Sequence, residues 1–294
     1  MPSRRVQWCA LALVCVLAGV LTLGAWTPPP PRATAAQMCR PHPGERRFGD
    51  ALLHIPRRAK APVPLVIAFH GSHGYGPWFP NETGLSKTSD RYGFAVLYPT
   101  AAGKRRFWSL NRSMHPDHVA LLRALLPQVE TAACADPTRI YATGVSNGGG
   151  FAARVGCEMS DTIAAIAPVA GGYKALDPCP DGHRTSVLEI HGDADTVVPY
   201  TGRRSDGAGS VVGFLGGWVR RDGCDPKPVF SRPEPNVLRF THNDCADGYV
   251  VAHLRLKGTD HGWPGSKPPF PSRNPSQLEA NEEVWKFFAD KRLH

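Results

Sequence analysis

Short apolar runs alternate with helix-like segments over most of the chain. Runs of about four to eight residues that are apolar on both faces are typical of strands buried in a parallel sheet. Such runs predict strands at residues 64–69, 94–98, 139–142, 163–167, 187–190 and 249–256, the fourth of them ending near Pro168. Helical spacing between these runs predicts helices at residues 117–130, 147–159, 211–221 and 278–288. This alternation predicts an α/β fold with a mostly parallel sheet and helices on both of its faces.

The N-terminal segment has a different pattern. Arg4 and Arg5 precede an apolar stretch over residues 8–26, and the small residues Ala-Thr-Ala follow at positions 33–35. A positive, then apolar, then small-residue order is typical of a cleavable secretory signal peptide. We therefore expect residues 1–35 to be a signal peptide and residues 36–294 to form one exported domain. An uncleaved membrane anchor is the alternative, because the apolar stretch is nearly long enough to span a bilayer.

The distribution of the basic residues argues against nucleic-acid binding, although the chain is positively charged overall. The formal net charge of +9 falls to +6 once residues 1–35 are removed, because that segment holds three arginines and no acidic residue. The basic residues occur in scattered pairs rather than in one stripe, and no nucleic-acid-binding motif is present. We interpret the charge as a source of solubility, with some attraction to anionic polymers or surfaces.

The cysteines agree with export. Two of the eight, Cys9 and Cys15, fall in the predicted signal peptide. An even number in an exported domain indicates disulfides, and the lack of CxxC spacing argues against a zinc site. Six cysteines allow many different pairings. Our hypothesis selects two bonds because each of them closes a short segment of the chain. The two cysteines that remain then form the third bond. The hypothesised pairs are Cys157–Cys179, Cys224–Cys245 and Cys39–Cys134.

A serine lies between glycines directly after the strand predicted at residues 139–142. Residues 143–150 read TGVSNGGG, with the serine at position 146. In a G-x-S-x-G turn, a strained strand-to-helix connection exposes the serine hydroxyl, and the glycines let neighbouring elements pack closely. The alternative is an ordinary glycine-rich turn in which Ser146 is only a turn residue or a helix cap.

Candidate catalytic groups, both side chains and backbone loops, follow four of the predicted strands. They are the glycine-rich loop 70–74, Ser146, the pair Asp193 and Asp195, and His261. In open α/β sheets, functional groups collect at the carboxyl ends of the strands. The order Ser, Asp, His along the chain is the order found in α/β-hydrolase triads.

This set of residues suits acyl transfer through a covalent intermediate. Ser146 would be the nucleophile, His261 the base that takes its proton, and Asp195 the acid that orients the imidazole. The backbone N–H groups of Asn147 and Ser72 are the candidate donors of an oxyanion hole, and the positive end of the helix at Asn147 adds to their effect. Such a mechanism needs no metal and no organic cofactor.

Three segments resemble a known family. They read GVSNGG at 144–149, HGDADTVVPY at 191–200 and HGWPG at 261–265. Over about residues 39–290 the chain resembles the secreted esterases that group feruloyl and acetyl-xylan esterases with poly(3-hydroxybutyrate) depolymerase-like proteins. The resemblance implies an α/β-hydrolase fold, serine esterase activity and, from its place in the second segment, Asp195 as the acid. Many members have cysteine where this chain has Ser72.

Several assignments keep an alternative. Asp193 competes with Asp195 and could instead cap a turn. His261 competes with eleven other histidines, of which His70 and His191 end predicted strands, where a structural role is common. Trp78 and Trp263 are candidates for the lining of an aromatic acyl pocket, although tryptophans more often simply pack.

The expected function is hydrolysis of carboxylic esters by a secreted monomer. Plant cell-wall feruloyl or acetyl esters and short hydroxyalkanoate esters all suit the same machinery. An acyltransferase with the same triad is one alternative. A non-catalytic protein that binds the cell envelope or a polymer through the same scaffold is another, because a fold does not fix a function.

Overall fold

The computed structural model describes residues 39–173, 176–180, 182–203, 209–266 and 278–293. All of them fall within one compact unit, Thr34–His294. The predicted signal peptide lies outside the described residues, so its existence and its cleavage stay predictions. In the part of the chain that the structure describes, no helix is both long and apolar enough to cross a membrane.

Within the described residues, ten strands form one sheet. Their bounds are β1 Gly44–Phe48, β2 Ala51–Ile55, β3 Val63–Phe69, β4 Ala95–Tyr98, β5 Ala135–Val145, β6 Ala165–Val169, β7 Ser186–Gly192, β8 Val229–Glu234, β9 Val237–His242 and β10 Val251–Leu256. Their order in the sheet is β1-β2-β4-β3-β5-β6-β7-β10-β9-β8. The six central strands are all parallel, in the order β4, β3, β5, β6, β7 and β10 across the sheet. The outer strands at both edges pair antiparallel. The prediction of a mostly parallel sheet is therefore confirmed.

Helices cover both faces of the sheet. They are α1 Phe79–Thr83, α2 Leu85–Tyr92, α3 His118–Ala133, α4 Asn147–Glu158, α5 Val211–Arg221 and α6 Ala280–Phe288, with 3₁₀ turns at Gly76–Trp78 and Ala246–Gly248. Helices α3, α4 and α5 contribute to the core on one face, and α1, α2 and α6 to the core on the other. Successive strand side chains point to opposite faces, so Ile67 enters the first core and Val66 the second.

The structure corrects several predicted boundaries. Strand β6 begins at Ala165 and runs through Pro168 to Val169, instead of ending before the proline. Proline removes one N–H from the ladder, but Val169 continues the pairing with Val145. Helix α3, which contains Pro127, continues to Ala133 instead of ending at residue 130. Strand β5 begins four residues earlier than predicted, at Ala135, and α6 begins at Ala280 rather than at residue 278.

Within the described residues, three disulfides are formed, one across 95 residues of sequence and two across 22 and 21 residues. The pairs are Cys39–Cys134, Cys157–Cys179 and Cys224–Cys245. The first ties the start of the described chain to the end of α3, and the second ties α4 to the segment before β7. The pairing hypothesis is therefore confirmed.

Candidate active site

Ser146 lies at a sharp turn between β5 and α4. Its backbone has φ 59° and ψ −120°, a region that L residues rarely adopt. A Cβ atom on Gly144 would lie 2.6 Å from the carbonyl oxygen of Gly148, and a Cβ on Gly148 would overlap the carbonyl oxygens of Phe69 and His70. The two glycines of the GVSNG segment are therefore required by close backbone approach, as expected for a nucleophile elbow.

Asp195 and His261 meet at the carboxyl ends of β7 and β10. Nδ1 of His261 donates to Oδ2 of Asp195 across 2.7 Å. The other carboxylate oxygen accepts from the backbone N–H groups of Val197 and Val198, at 2.8 and 2.7 Å. Burial raises the pKa of Asp195, but hydrogen bonds from His191 and His261 outweigh it and hold that pKa well below its usual range. Asp195 is therefore a fixed, ionised partner for the His261 ring.

Asp193, the rival of Asp195, has a different role. Its Oδ2 forms an ion pair with the Arg255 guanidinium at 3.0 Å, and its Oδ1 accepts from the N–H of Gly258 at 2.7 Å. These contacts connect the loop after β7 with β10 and the turn that follows it. The structure thus brings Asp195, and not Asp193, to His261.

Ser146 and His261 line the same cavity, which has a volume of about 680 Å³. Ser72, Trp78 and Trp263 also line it. The hydroxyl of the elbow serine and the ring that Asp195 orients therefore face one space, which is large enough for a small acyl group. Nucleophilic catalysis by serine requires the serine and its base to share one site.

The loop after β3 lies beside the elbow. A Cβ atom on Gly71 would lie 3.7 Å from Cβ of Ser146. The N–H of His73 donates to the carbonyl of Arg106, and the N–H of Gly74 donates to the carbonyl of Gly71. Because those two amides are already engaged, the geometry favours the amide of Ser72 over them as a second oxyanion donor.

The loop and the elbow are tied together by Trp108, which the sequence analysis did not single out. Its N–H and carbonyl pair with the Asn147 side chain at 2.7 and 3.1 Å, and its indole N–H donates to the carbonyl of His70 at 2.9 Å. Asn147 is the first residue of α4, where backbone N–H groups have no partner within the helix. The Asn147 side chain therefore braces the loop while its backbone remains suited to face an oxyanion.

His70 has the structural role that its position at a strand end suggests. Its Nδ1 contacts the carbonyl of Gly71 at 2.6 Å, and its Nε2 lies 3.1 Å from the N–H of Ala101. Burial lowers the pKa of His70 to about 4, against the opposing effect of the hydrogen bond to Gly71. A neutral ring that donates at Nδ1 and accepts at Nε2 satisfies both contacts and fixes the start of the loop.

The two predicted lining tryptophans differ in exposure. Trp78 is 61% exposed at the cavity rim, and its ring stands edge-on to Tyr75. Trp263 is only 3% exposed, donates to the side chain of Asn281 and packs edge-on against Phe79. Trp263 is thus part of the core under the cavity, whereas Trp78 presents an apolar surface to a molecule that enters the cavity.

Two residues lie behind Asp195: Glu189, which sequence reasoning missed, and His191, for which it considered only a structural role. Nε2 of His191 is 3.3 Å from Oδ2 of Asp195, and both Glu189 and His191 are buried in β7. One signal was available, since a charged residue interrupts the apolar run at 187–190. Among the residues described, no group of three or more His, Cys, Asp or Glu side chains is arranged to hold a metal ion.

The chain is similar in sequence to known esterases. Residues 49–174 match the family model of the PHB depolymerase esterases. Feruloyl esterase B of Piromyces equi is 28% identical over 219 residues, which cover 68% of this chain and 39% of that protein. The bifunctional acetylxylan esterase/xylanase XynS20E of Neocallimastix patriciarum is 26% identical over 222 residues, or 72% of this chain and 31% of that protein. The chain thus spans less than half of the length of these two curated relatives.

The solved structures bear on the fold. The acetyl xylan esterase from Aspergillus awamori superimposes with a TM-score of 0.61 at 16% identity, over 84% of this chain and 98% of that one. A likeness at that identity shows a shared α/β-hydrolase fold. Taken with the family match and the curated relatives, it makes this chain similar to α/β-hydrolase esterases, among them feruloyl esterases, acetylxylan esterases and PHB depolymerase-like proteins.

Proposed function

We propose that the chain is a serine esterase that hydrolyses carboxylic esters through an acyl-enzyme on Ser146. The observation that carries the proposal is the elbow serine facing one cavity with His261, whose Nδ1 lies 2.7 Å from Asp195. Each of these groups has a defined task in acyl transfer, and the relatives are named as esterases.

The reaction begins when the Ser146 oxygen attacks the ester carbonyl. His261 takes the hydroxyl proton and passes it to the departing alcohol, which leaves the acyl group on Ser146. His261 then takes a proton from water, the resulting hydroxide attacks the acyl carbonyl, and the proton returns to Ser146 as the acid is released. Asp195 holds the ring with Nδ1 protonated and stabilises the imidazolium that forms twice in each cycle.

Backbone N–H groups stabilise the charge that develops on the carbonyl oxygen. The amide of Asn147 and the amide of Ser72 are the proposed donors, one from the first turn of α4 and one from the loop after β3. Donors already fixed at the place where negative charge develops contribute more to rate than to substrate binding. The Trp108 link between Asn147 and His70 holds the elbow and the loop in register.

The substrate is a small acyl ester. We propose feruloyl, acetyl or short hydroxyalkanoyl esters, because a cavity of about 680 Å³ with Trp78 at its rim accepts an aromatic or short aliphatic acyl group. The named activities of the feruloyl and acetylxylan relatives point to the same classes. The three disulfides support the proposal that the enzyme is exported and works outside the cytoplasm. Its monomeric state stays a prediction.

A matched substrate panel tests the proposal. It compares p-nitrophenyl acetate, p-nitrophenyl butyrate, methyl ferulate and a 3-hydroxybutyrate oligomer, with the wild type and a Ser146→Ala variant. We expect activity on at least one ester and a loss in the variant of about 10³-fold or more. The ranking across the panel selects the acyl class. No hydrolysis of any ester by the folded wild type would contradict the proposal, and ester formation with an added alcohol would favour a transferase.

A further inference from the structure

A second carboxylate–imidazole pair lies directly behind the catalytic acid. Glu189 and His191 are two residues apart on β7, and the side chains of both are completely buried. Nδ1 of His191 lies 2.8 Å from Oε1 of Glu189. Burying two ionisable groups is costly unless they are paired with each other, so the pair requires an explanation beyond packing.

Both ring nitrogens of His191 face hydrogen-bond acceptors. Nδ1 faces the carboxylate of Glu189, whereas Nε2 lies 2.9 Å from the carbonyl of Val198 and 3.3 Å from Oδ2 of Asp195. A neutral imidazole would direct a lone pair at one of these oxygens. With Glu189 ionised, only the imidazolium, which donates from both nitrogens, satisfies the arrangement.

Glu189 is surrounded by groups that stabilise its negative charge. The hydroxyl of Tyr173 donates to Oε1 at 2.8 Å. Nδ1 of His253 on β10 lies 2.8 Å from Oε2, without the alignment of a hydrogen bond, and also contacts the Glu189 carbonyl at 3.2 Å. Burial raises the pKa of Glu189, but the charge and hydrogen bond of His191 outweigh it and lower that pKa. The same pairing raises the pKa of His191 against the effect of burial.

We propose that His191, held as an imidazolium by Glu189, is a positioning residue that fixes the Asp195 carboxylate and withdraws part of its negative charge from His261. The same Oδ2 atom faces Nε2 of His191 on one side and accepts from Nδ1 of His261 on the other. The inference rests on the proposed function, since it assigns Asp195 and His261 their roles there. It extends the triad inward to Tyr173 through an unbroken series of contacts.

A positive charge next to Asp195 affects the protonation of the base. It weakens the attraction between Asp195 and the protonated His261, so the His261 imidazolium forms only at lower pH. The acidic limb of kcat/KM, which reports protonation of the base in the free enzyme, therefore lies at lower pH than it would without His191.

Other titratable and charged groups surround this network and must be kept constant. Tyr200 stands edge-on to the His191 ring and contacts Nε2 of His253, while Arg255 on β10 is engaged by Asp193. On the cavity side, His73 and Glu82 line the same space as His261. None of these side chains is changed in the experiment below.

The kinetic test uses the double variant Glu189→Gln plus His191→Gln. Changing both residues avoids leaving one buried charge unpaired, which would destabilise the fold by itself. We expect the acidic limb to move up by at least about 0.5 pH unit and kcat to fall about 10-fold, with KM changed less than kcat. Rates are expressed per fluorophosphonate-titrated site, so unfolded protein does not contribute. An unmoved acidic limb, with kcat per titrated site unchanged, would overturn the proposal.

A second measurement needs no variant that must fold and no substrate. In wild-type protein labelled with ¹⁵N-histidine, we expect the His191 ring to show two protonated nitrogens at pH 8, where ordinary histidines are neutral. The His191 signals are assigned in the wild-type protein, by through-bond correlation from the His191 backbone amide in a uniformly ¹³C,¹⁵N-labelled sample. A His191 ring with one unprotonated nitrogen at that pH would overturn the proposal. Because this signal does not depend on ester hydrolysis, it separates failure of this inference from failure of the proposed esterase activity.

Discussion

At the scale of single residues, two aspartates two positions apart have opposite surroundings. Asp195 is buried, accepts from two backbone N–H groups and contacts His261, whereas Asp193 is paired with Arg255 near the surface. The difference follows from the turn at the end of β7. This turn directs the Asp195 carboxylate towards His261, in the segment after β10, and the Asp193 carboxylate towards Arg255 on β10. Chemistry at this site therefore depends on a backbone turn as much as on residue type.

This contrast gives a prediction about catalysis. Asp195→Asn keeps the shape of the side chain but lets its amide donate to the ring, which favours the wrong imidazole tautomer. We expect kcat on the best ester substrate to fall by about 10³–10⁴-fold. Asp193→Asn is the matched control and is expected to change kcat/KM by less than about threefold, because a partly exposed ion pair contributes little. Equal losses in the two variants would mean that Asp195 has no special role.

At the scale of elements, the site depends on three segments that Trp108 holds together. The end of β3, the loop that carries Trp108 and the first turn of α4 share hydrogen bonds through His70, Trp108 and Asn147. The Trp108 ring also stacks on Phe151 of α4, with centroids 4.8 Å apart. The loop after β3, which carries the proposed donor Ser72, is thus anchored to the helix that begins directly after Ser146, the proposed nucleophile.

Asn147→Ala tests this anchor, since it removes the side chain but keeps the backbone N–H. Trp108 then loses two buried hydrogen bonds, so we expect a loss of about 1–3 kcal/mol in the free energy of unfolding. We also expect kcat to fall about 10-fold, because the loop is no longer held against the elbow. The measurements are urea unfolding and steady-state kinetics.

Thr185→Ala is the control for Asn147→Ala. It removes one buried hydrogen bond, from the Thr185 hydroxyl to the carbonyl of Gly156, away from the cavity. We expect it to lower stability without changing kcat. If Thr185→Ala reduced kcat as much as Asn147→Ala does, the loss in both would reflect stability alone.

At the scale of the whole molecule, stability responds to pH through a buried group far from the triad. Asp222 follows α5, has no exposed surface, and neither of its carboxylate oxygens has an aligned partner within the described residues. Burial raises the pKa of Asp222 to about 7, against the opposing charge of Arg221. The native state therefore favours the protonated acid. The contribution of Asp222 to stability is fully present below about pH 4 and is lost as pH rises through about 7.

Asp222→Asn isolates this contribution. We expect the variant to be more stable than the wild type at pH 8, by on the order of a few kcal/mol, because it avoids a buried charge. At pH 4 the two proteins should be nearly equal, since Asp222 is then protonated in the folded wild type. Urea unfolding of both proteins at the two pH values measures the difference. A difference that does not depend on pH would show that Asp222 does not titrate in this range.

The sequence predicted the central strands, the helices α3 to α6 and the elbow, because each has a strong local pattern. It did not predict the short helices α1 and α2. The edge strands were not predicted: β1 reads GERRF and is largely exposed, so it carries no apolar run. The roles of Trp108, Glu189 and His191 were also missed, because they arise from contacts between residues distant in sequence or from burial that the sequence does not state. Glu189 gave a hint as a charge within a core strand, but its partner could not be read from the pattern.

The central claim is that Ser146 is the activated nucleophile, and covalent labelling tests it most directly. The folded protein is treated with a fluorophosphonate, and the site of modification is found by intact mass and peptide mapping, beside the Ser146→Ala variant. We expect one adduct per chain, located on Ser146, and none in the variant. An adduct at another residue, or no adduct on the folded wild type, would contradict this claim.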